Sequence, residues 1–158
     1  MRKVVFLDRD GVINKEIDDY VYHLDSFIFN PGLESALTYW SQKGYSFAVI
    51  TNQGGISKKH YTKEHVYKIN VFLYDWFKER NLDLLAISFC PHHNSIESCI
   101  CRKPNSLMLE KLIAKYKVSL KDSFLIGDSL RDIKAAEKVG IKGIKIVANT
   151  NLNTLISL

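Results

Sequence analysis

Val4-Val5-Phe6-Leu7-Asp8-Arg9-Asp10-Gly11 sets an unbroken apolar run against two carboxylates one residue apart and a glycine. Such a run reads as a strand buried on both faces, the signature of a parallel sheet. In α/β enzymes, residues just past the carboxyl ends of the strands line the ligand crevice. Asp8 can point into a site there, and Asp10 is aimed at the same site where the chain turns, as Gly11 permits. Two acids this close suit a nucleophile beside an acid/base, with a divalent cation suppressing their repulsion. Taken alone, the four residues also fit a polar strand-to-loop junction.

Working outward, apolar runs recur at Phe47 to Ile50, Leu84 to Phe89, Phe124 to Ile126 and Ile144 to Val147, giving five short buried strands with the first. Helical patterns fill the gaps. One opens at Asn30-Pro31 and carries Leu33, Ala36, Leu37 and Trp40, and a second follows Thr62 as N-cap with Val66, Ile69, Leu73, Trp76 and Phe77. A third carries Met108, Leu109, Leu112, Ile113 and Tyr116, and a fourth carries Ile133, Ala136 and Val139 before Gly140. Strand alternating with helix predicts an α/β fold, a doubly wound three-layer sandwich around a five-stranded, mainly parallel sheet. Trp40, Trp76 and Phe77 fall on the apolar stripes and read as core.

A chain of 158 residues, 46% apolar, can bury one sizeable core, so residues 1–158 are expected to form one domain. The connection from Lys15 to Asn30 is too short for a second domain, which leaves the site mouth open or covered by loops. No stretch of apolar residues is long enough to span a bilayer, and Met1-Arg2-Lys3 leads straight into a strand, so a cytoplasmic protein is expected. The net charge of +5 is spread along the chain, which fits small anionic substrates as well as nucleic acid.

Polar groups stand after the other apolar runs too. Thr51-Asn52-Gln53-Gly54-Gly55 follows the second, the Cys90 to Pro104 loop the third, and Gly127-Asp128-Ser129 the fourth. In a parallel sheet these ends share one edge. Thr51 and backbone N–H groups can hold phosphate oxygens, Lys103 can offset developing charge, and Asp128 with Asp8 can hold Mg²⁺ through hard oxygen ligands. Each has a plainer alternative: Thr51 as a cap, Lys103 as a solvated charge, Asp128 as the N-cap of the next helix. Asp132, four residues on, can orient Lys103 or a metal-bound water, or be a surface acid.

Three cysteines, an odd number within twelve residues, make a poor disulfide framework. Cys90-x-His92 and Cys99-x-Cys101 instead offer a full tetrahedral zinc shell in the loop 90–101, with His93 as a substitute ligand. A closed shell would be structural. Arg102 and Lys103 follow the last ligand, so folding the loop around zinc would bring both cations to the phosphate.

The segments Phe6 to Asn14, Thr51-Asn52-Gln53, Cys90-Pro91-His92-His93 with Cys101-Arg102-Lys103-Pro104, and Ile126-Gly127-Asp128 with Asp132 resemble the haloacid dehalogenase (HAD) superfamily of phosphatases. More narrowly they resemble its histidinol-phosphate and heptose-bisphosphate phosphatase branch, over essentially the whole chain. The resemblance implies a Rossmann-like core without a cap domain. It implies that Asp8 attacks phosphorus to form an aspartyl-phosphate and that Asp10 acts as general acid, then base. It further implies phosphoryl stabilisation by Thr51 and Lys103, substrate contact by Arg102, Mg²⁺ on Asp8, the Asp10 carbonyl and Asp128, and His92 as the zinc ligand. Asn52, Gln53 and Gly54 would border the substrate. Glu16, Asp18 and Asp19 occupy the loop that meets substrate hydroxyls in that branch, although the two aspartates equally suit a solvated turn.

Where relatives in that branch often carry an arginine turn after the glycine pair, this chain has Ser57-Lys58-Lys59, and Ser129 stands where some have lysine. These differences leave dephosphorylation intact and bear on the sugar and its anomer. The implied substrate is a small phosphorylated sugar, a heptose 1,7-bisphosphate losing its C7 phosphate on the way to nucleotide-activated heptose for lipopolysaccharide or capsule. Lys58, Lys59 and Arg102 are expected to favour that bisphosphate over histidinol phosphate. A polynucleotide 3′-phosphatase is a further alternative, but no basic stripe with interleaved aromatics tracks a nucleic-acid backbone. A monomer is expected, with no nucleic-acid or membrane partner. A silent zinc-stabilised binding module would need neither acid of the Asp8/Asp10 pair.

Overall fold

A computed structural model describes residues 1–156, so the last two residues of the expected domain lie outside the described residues. Five strands form one sheet: β1 (Lys3–Leu7), β2 (Tyr45–Asn52), β3 (Leu84–Cys90), β4 (Phe124–Gly127) and β5 (Lys142–Lys145). Their order is β3-β2-β1-β4-β5 and every pairing is parallel. Helices α1 (Leu33–Gln42), α2 (Lys63–Glu79), α3 (Leu107–Tyr116) and α4 (Leu130–Lys138) are the crossovers. The expected doubly wound sandwich is the fold found.

Alternation along the strands sorts the core into two halves. Val5, Leu7, Phe47 and Val49 pack with Leu33, Leu37 and Trp40 of α1 and with Ile69, Leu73 and Phe77 of α2. Val4, Phe6, Ala48 and Ile50 face the other way, onto Met108, Leu109 and Leu112 of α3 and Ala135 and Ala136 of α4. Runs without a polar break are therefore required in β1 and β2, because both faces are covered. Trp40, Trp76 and Phe77 belong to the first half, as core residues.

Three boundaries differ from the sequence reading. Helix α1 starts at Leu33 because Asn30, buried, spends its amide on the Val12 carbonyl, while Gly32 takes the left-handed conformation as N-cap. Asp128 does not cap α4. Ser129 does, in a capping box with Asp132, which leaves the Asp128 carboxylate outside the helix. Strand β5 runs Lys142–Lys145 rather than Ile144 to Val147, since its pairing with β4 fixes the register and Gly143 lies under Ile133 of α4. At an edge strand, apolarity is a weak guide to register.

The chain runs outward from β1 to β2 and β3, then crosses back to β4 and β5 on the other side. This reversal places the switch point between β1 and β4, the position at which open α/β sheets form their crevice. Asp8 leaves β1 there, its N–H donating to the Ile126 carbonyl of β4.

Candidate active site

The carboxyl edge of the sheet carries a cleft of about 470 Å³ whose lining includes Asp8, Asp10, Thr51, Lys103, Asp128 and Asp132. At its floor Lys103, only 2% exposed, is held by three oxygens. Its Nζ lies 2.9 Å from Asp8 Oδ1, 2.6 Å from Asp132 Oδ1, and donates to the Ile50 carbonyl at 2.8 Å. Burial alone would lower this ammonium's pKa, but Asp8 and Asp132 reverse the effect and hold it above its ordinary value. Asp132 is thus no surface acid. One oxygen binds Lys103 and the other accepts the Ser129 N–H at 3.0 Å.

Asp8, Asp128 and Asp132 bring carboxylate oxygens within 4.8 Å of one another. Three acids share one ammonium, a deficit of positive charge in a partly dry site. Burial, with Asp132 and Asp10 adding to it against Lys103, pushes Asp8 up to about 7. Burial and Asp132 likewise raise Asp128. Hard oxygen donors that resist ionising until more positive charge arrives fit a divalent cation such as Mg²⁺ on Asp8 and Asp128. Asp132, with both oxygens engaged, is the anchor for Lys103.

Gly11 is built for this neighbourhood. Its φ is +88°, and a Cβ there would lie 2.2 Å from Asp128 Oδ2. Gly11→Ala is expected to lose about 1–3 kcal/mol of stability through strain and collision, and to raise the magnesium concentration needed for half-maximal activity. A denaturation curve and a magnesium titration check the two halves of that expectation.

Asp10 is gripped from several sides. Arg9 donates through Nη2 to Oδ1 at 2.9 Å and to Oδ2 at 3.1 Å, and Asn14 Nδ2 donates to Oδ1 at 2.9 Å. Gln53 Nε2 donates to Oδ2 at 3.1 Å and to Thr51 Oγ1 at 2.8 Å. The sequence reading passed over Arg9, Asn14 and Tyr61. Arg9 sits between two acids, which is its only local signal, and its burial at 1% exposed comes from the Lys15 to Asn30 loop folding over it, where Nη2 also reaches the Val21 carbonyl.

Two residues expected at the substrate are committed to protein partners. Asn52 accepts from Lys103 N at 3.0 Å and donates to Lys103 O at 3.1 Å, so it ties the lysine backbone to β2. Gln53 is spent on Asp10 and Thr51. Gly54 does border the cleft, because a Cβ there would lie 2.9 Å from Arg102 Nη1. Glu16 lines the mouth with Asp18 and Asp19 and is pinned by Asn149, which accepts from Glu16 N and donates to its carbonyl. Asp18 and Asp19 are exposed and make a self-bonded turn: Asp18 N donates to Glu16 Oε1, and Tyr20 N to Asp19 Oδ1.

The opposite rim is basic, through Arg102 as expected but not through Lys58 or Lys59. Lys58 and Lys59 do not line the cleft, since the turn after Gly55 carries them outward. Arg102 lines it together with Arg131 and His93, which the sequence did not single out for this role. Arg102 is steadied by the His92 carbonyl at 2.9 Å, and no carboxylate forms an ion pair with Arg102 or Arg131 among the described residues. Burial and the Arg131 charge lower the pKa of Arg102, and burial with Lys58, Arg102 and Arg131 lowers that of His93. Mutually repelling cations at a cleft mouth call for an anion.

Beside them, Cys90, His92, Cys99 and Cys101 converge with all donor atoms within 4.8 Å. Sγ of Cys90 lies 3.1 Å from that of Cys101 and 3.6 Å from that of Cys99, and His92 Nδ1 lies 3.4 Å and 3.3 Å from Cys90 and Cys101. A tetrahedron of thiolates about 2.3 Å from zinc has edges of about 3.8 Å, so the cluster needs only slight expansion to hold the ion. His93 turns away to Ser95. The geometry selects His92.

A family model described as HAD-hydrolase-like matches residues 100–150. The chain is 35% identical over 153 residues to a D-glycero-beta-D-manno-heptose-1,7-bisphosphate 7-phosphatase of Neisseria meningitidis serogroup A, covering 97% of this chain and 81% of that protein. This chain belongs to the HAD phosphatases. Another relative, a D-glycero-alpha-D-manno-heptose-1,7-bisphosphate 7-phosphatase of Photorhabdus laumondii, is 38% identical over 149 residues, covering 88% of this chain and 79% of that protein. The D,D-heptose 1,7-bisphosphate phosphatase from B. bronchiseptica, solved with magnesium and phosphate, superposes on this HAD phosphatase with a TM-score of 0.84 at 29% identity, covering 99% of this chain and 87% of that one. No helix among the described residues is long and apolar enough to cross a membrane.

Proposed function

We propose that this HAD phosphatase removes the C7 phosphate of a D-glycero-D-manno-heptose 1,7-bisphosphate through an aspartyl-phosphate on Asp8. The observation that carries the reading is a cleft with Asp8 and Lys103 at its floor and unpaired Arg102 and Arg131 at its mouth, one end suited to the reacting phosphate and the other to a second anion.

Asp8 attacks phosphorus in line, and Asp10 gives its proton to the departing sugar oxygen. Asp10 then takes a proton from water as the water oxygen attacks phosphorus, releasing inorganic phosphate and restoring the Asp8 carboxylate. Lys103, set by Asp132, and Thr51 with the Gly54 backbone hold the equatorial phosphoryl oxygens. Asp8, the Asp10 carbonyl and Asp128 would hold magnesium, which when bound would neutralise charge on those oxygens. Glu16, Asp18 and Asp19 accept hydrogen bonds from the sugar hydroxyls across the cleft from Arg102. Zinc on Cys90, His92, Cys99 and Cys101 holds the loop that presents Arg102 and Lys103.

Residues 1–158 act as one cytoplasmic phosphatase domain, a monomer without nucleic-acid partners, in the supply of nucleotide-activated heptose for lipopolysaccharide or capsule. The relatives include enzymes named for the alpha and for the beta anomer, so both anomers belong in the test. Phosphate release with Mg²⁺ should favour a heptose 1,7-bisphosphate over histidinol phosphate and over a 3′-phosphorylated oligonucleotide. The guanidinium pair repels the ammonium of histidinol and attracts the second phosphate. Preference for histidinol phosphate would overturn the assignment while leaving the phosphatase chemistry in place.

A further inference from the structure

One buried hydroxyl beside the catalytic groups has no place in the reaction outlined above. Tyr61, 5% exposed, donates its O–H to Gln53 Oε1 at 2.6 Å. The same glutamine turns its Nε2 toward Asp10 Oδ2 at 3.1 Å and Thr51 Oγ1 at 2.8 Å. A primary amide has one accepting end and one donating end, and rotation by half a turn exchanges them. After such a turn, a carbonyl oxygen would face the Asp10 carboxylate. The tyrosine proton, which would lose its acceptor on such a turn, joins the acceptor-only Asp10 carboxylate in keeping the donating end on Asp10 and Thr51. Burial pushes the Tyr61 phenol above its ordinary pKa, so the hydroxyl keeps its proton through the working pH range.

The surroundings fit this task. A Cβ on Gly55 would lie 2.2 Å from Tyr61 Cε1, so the glycine makes room for the ring to reach Gln53. The Tyr61 ring stacks on Tyr22 at 5.2 Å with planes 8° apart and meets Tyr20 edge-on at 5.4 Å. Tyr20 lines the cleft mouth. The ring therefore anchors the Lys15 to Asn30 loop, while the hydroxyl reaches inward to the acid/base.

We infer that Tyr61 is a positioning residue for phosphoryl transfer: it locks the Gln53 amide in the orientation that aims Asp10 at the leaving oxygen. The inference rests on the acid/base role proposed for Asp10 and not on which sugar is bound. Tyr61→Phe keeps the ring and its stacking and removes only the hydroxyl.

With a sugar phosphate, whose leaving alkoxide needs a proton, kcat/KM of Tyr61→Phe should fall about tenfold, a fraction of what a whole general acid contributes. With p-nitrophenyl phosphate, whose leaving phenolate departs unprotonated, the loss in kcat/KM should shrink to about twofold or less. The same substitution in a Gln53→Leu background should add no further loss, because the amide that Tyr61 orients is already gone. Wild-type activity on the sugar phosphate, equal losses on both substrates, or full additivity with Gln53→Leu would each overturn the assignment. A thermal melt of the Phe variant within about 2 °C of wild type separates positioning from packing. Failure of the heptose reading would instead appear as poor turnover of heptose bisphosphate by the wild-type protein, with the p-nitrophenyl activity intact.

Discussion

Asp8→Asn is expected to abolish turnover, by on the order of 10⁴-fold or more, while the protein stays folded and still binds substrate. The amide keeps the shape of the side chain and can still accept from the Arg9 N–H, which bonds Asp8 Oδ1 at 2.8 Å. It cannot form the acyl-phosphate. The metal-free variant should also be more stable than the wild type at alkaline pH. Asp8 is raised to about 7 in the fold against 3.8 for the free group. A raised carboxyl binds a proton in the folded state that the unfolded chain has already released, so its contribution is full below about pH 4 and is lost as pH climbs through about 7. Asparagine has no proton to lose, so its stability should decline less over that interval. Thermal melts from pH 4 to 8 in chelator, together with single-turnover phosphate release, test both parts. A variant with unchanged rate removes the covalent mechanism. A variant that is inactive because it is unfolded would be exposed by the melts. Magnesium should raise the melting temperature of the wild type more than that of the variant, since the cation binds the folded state through this carboxylate.

Zinc removal should produce the second large effect, and it should be local. The segment after β3 has little apolar packing of its own: Ile96 and Ile100 are 58% and 74% exposed. Some of its internal bonds run to ligand residues, as in Arg102 N to Cys99 Sγ at 3.3 Å and Asn105 Nδ2 to Cys99 O at 3.1 Å. Without the ion, three thiols and an imidazole cannot replace the metal–ligand bonds, and the loop opens at little cost to the sheet. Arg102 and Lys103 are the next residues after Cys101, so the phosphate end of the cleft loses its cations. Chelated protein, verified zinc-free, should lose about 10- to 100-fold in activity, gain amide exchange between Cys90 and Asn105, and retain protection in β1, β2 and β4. Zinc added back should restore activity where magnesium alone does not. Full activity in verified zinc-free protein would remove this role.

Much of the molecule was legible along the chain. Strands β1, β2 and β4 announce themselves as short apolar runs because both sheet faces are covered, and α2 announces itself through its stripe and its Thr62 cap. The cysteine–histidine tetrad was readable because its ligands lie within one loop, where spacing alone constrains geometry. β5 was misplaced because an edge strand takes its register from its neighbour, and Val147, 77% exposed, carried apolarity that buries nothing.

What the sequence determined by itself is what short-range pattern can encode: the parallel α/β class, the acids after β1 and the cysteine–histidine loop. What only the tertiary structure decided is which charges meet. Asp132 could be a surface acid until β4 was set beside β1 and α4 turned it onto Lys103, 2.6 Å away. Arg131, rather than Lys58 or Lys59, reached the cleft because a helix following β4 points its first turn at the sheet edge, while the loop after β2 turns outward. Tyr61 found Gln53 through a gap left by Gly55. Burial and pairing of polar groups depend on elements far apart in sequence crossing at one edge, and periodicity within any one element carries no record of that crossing.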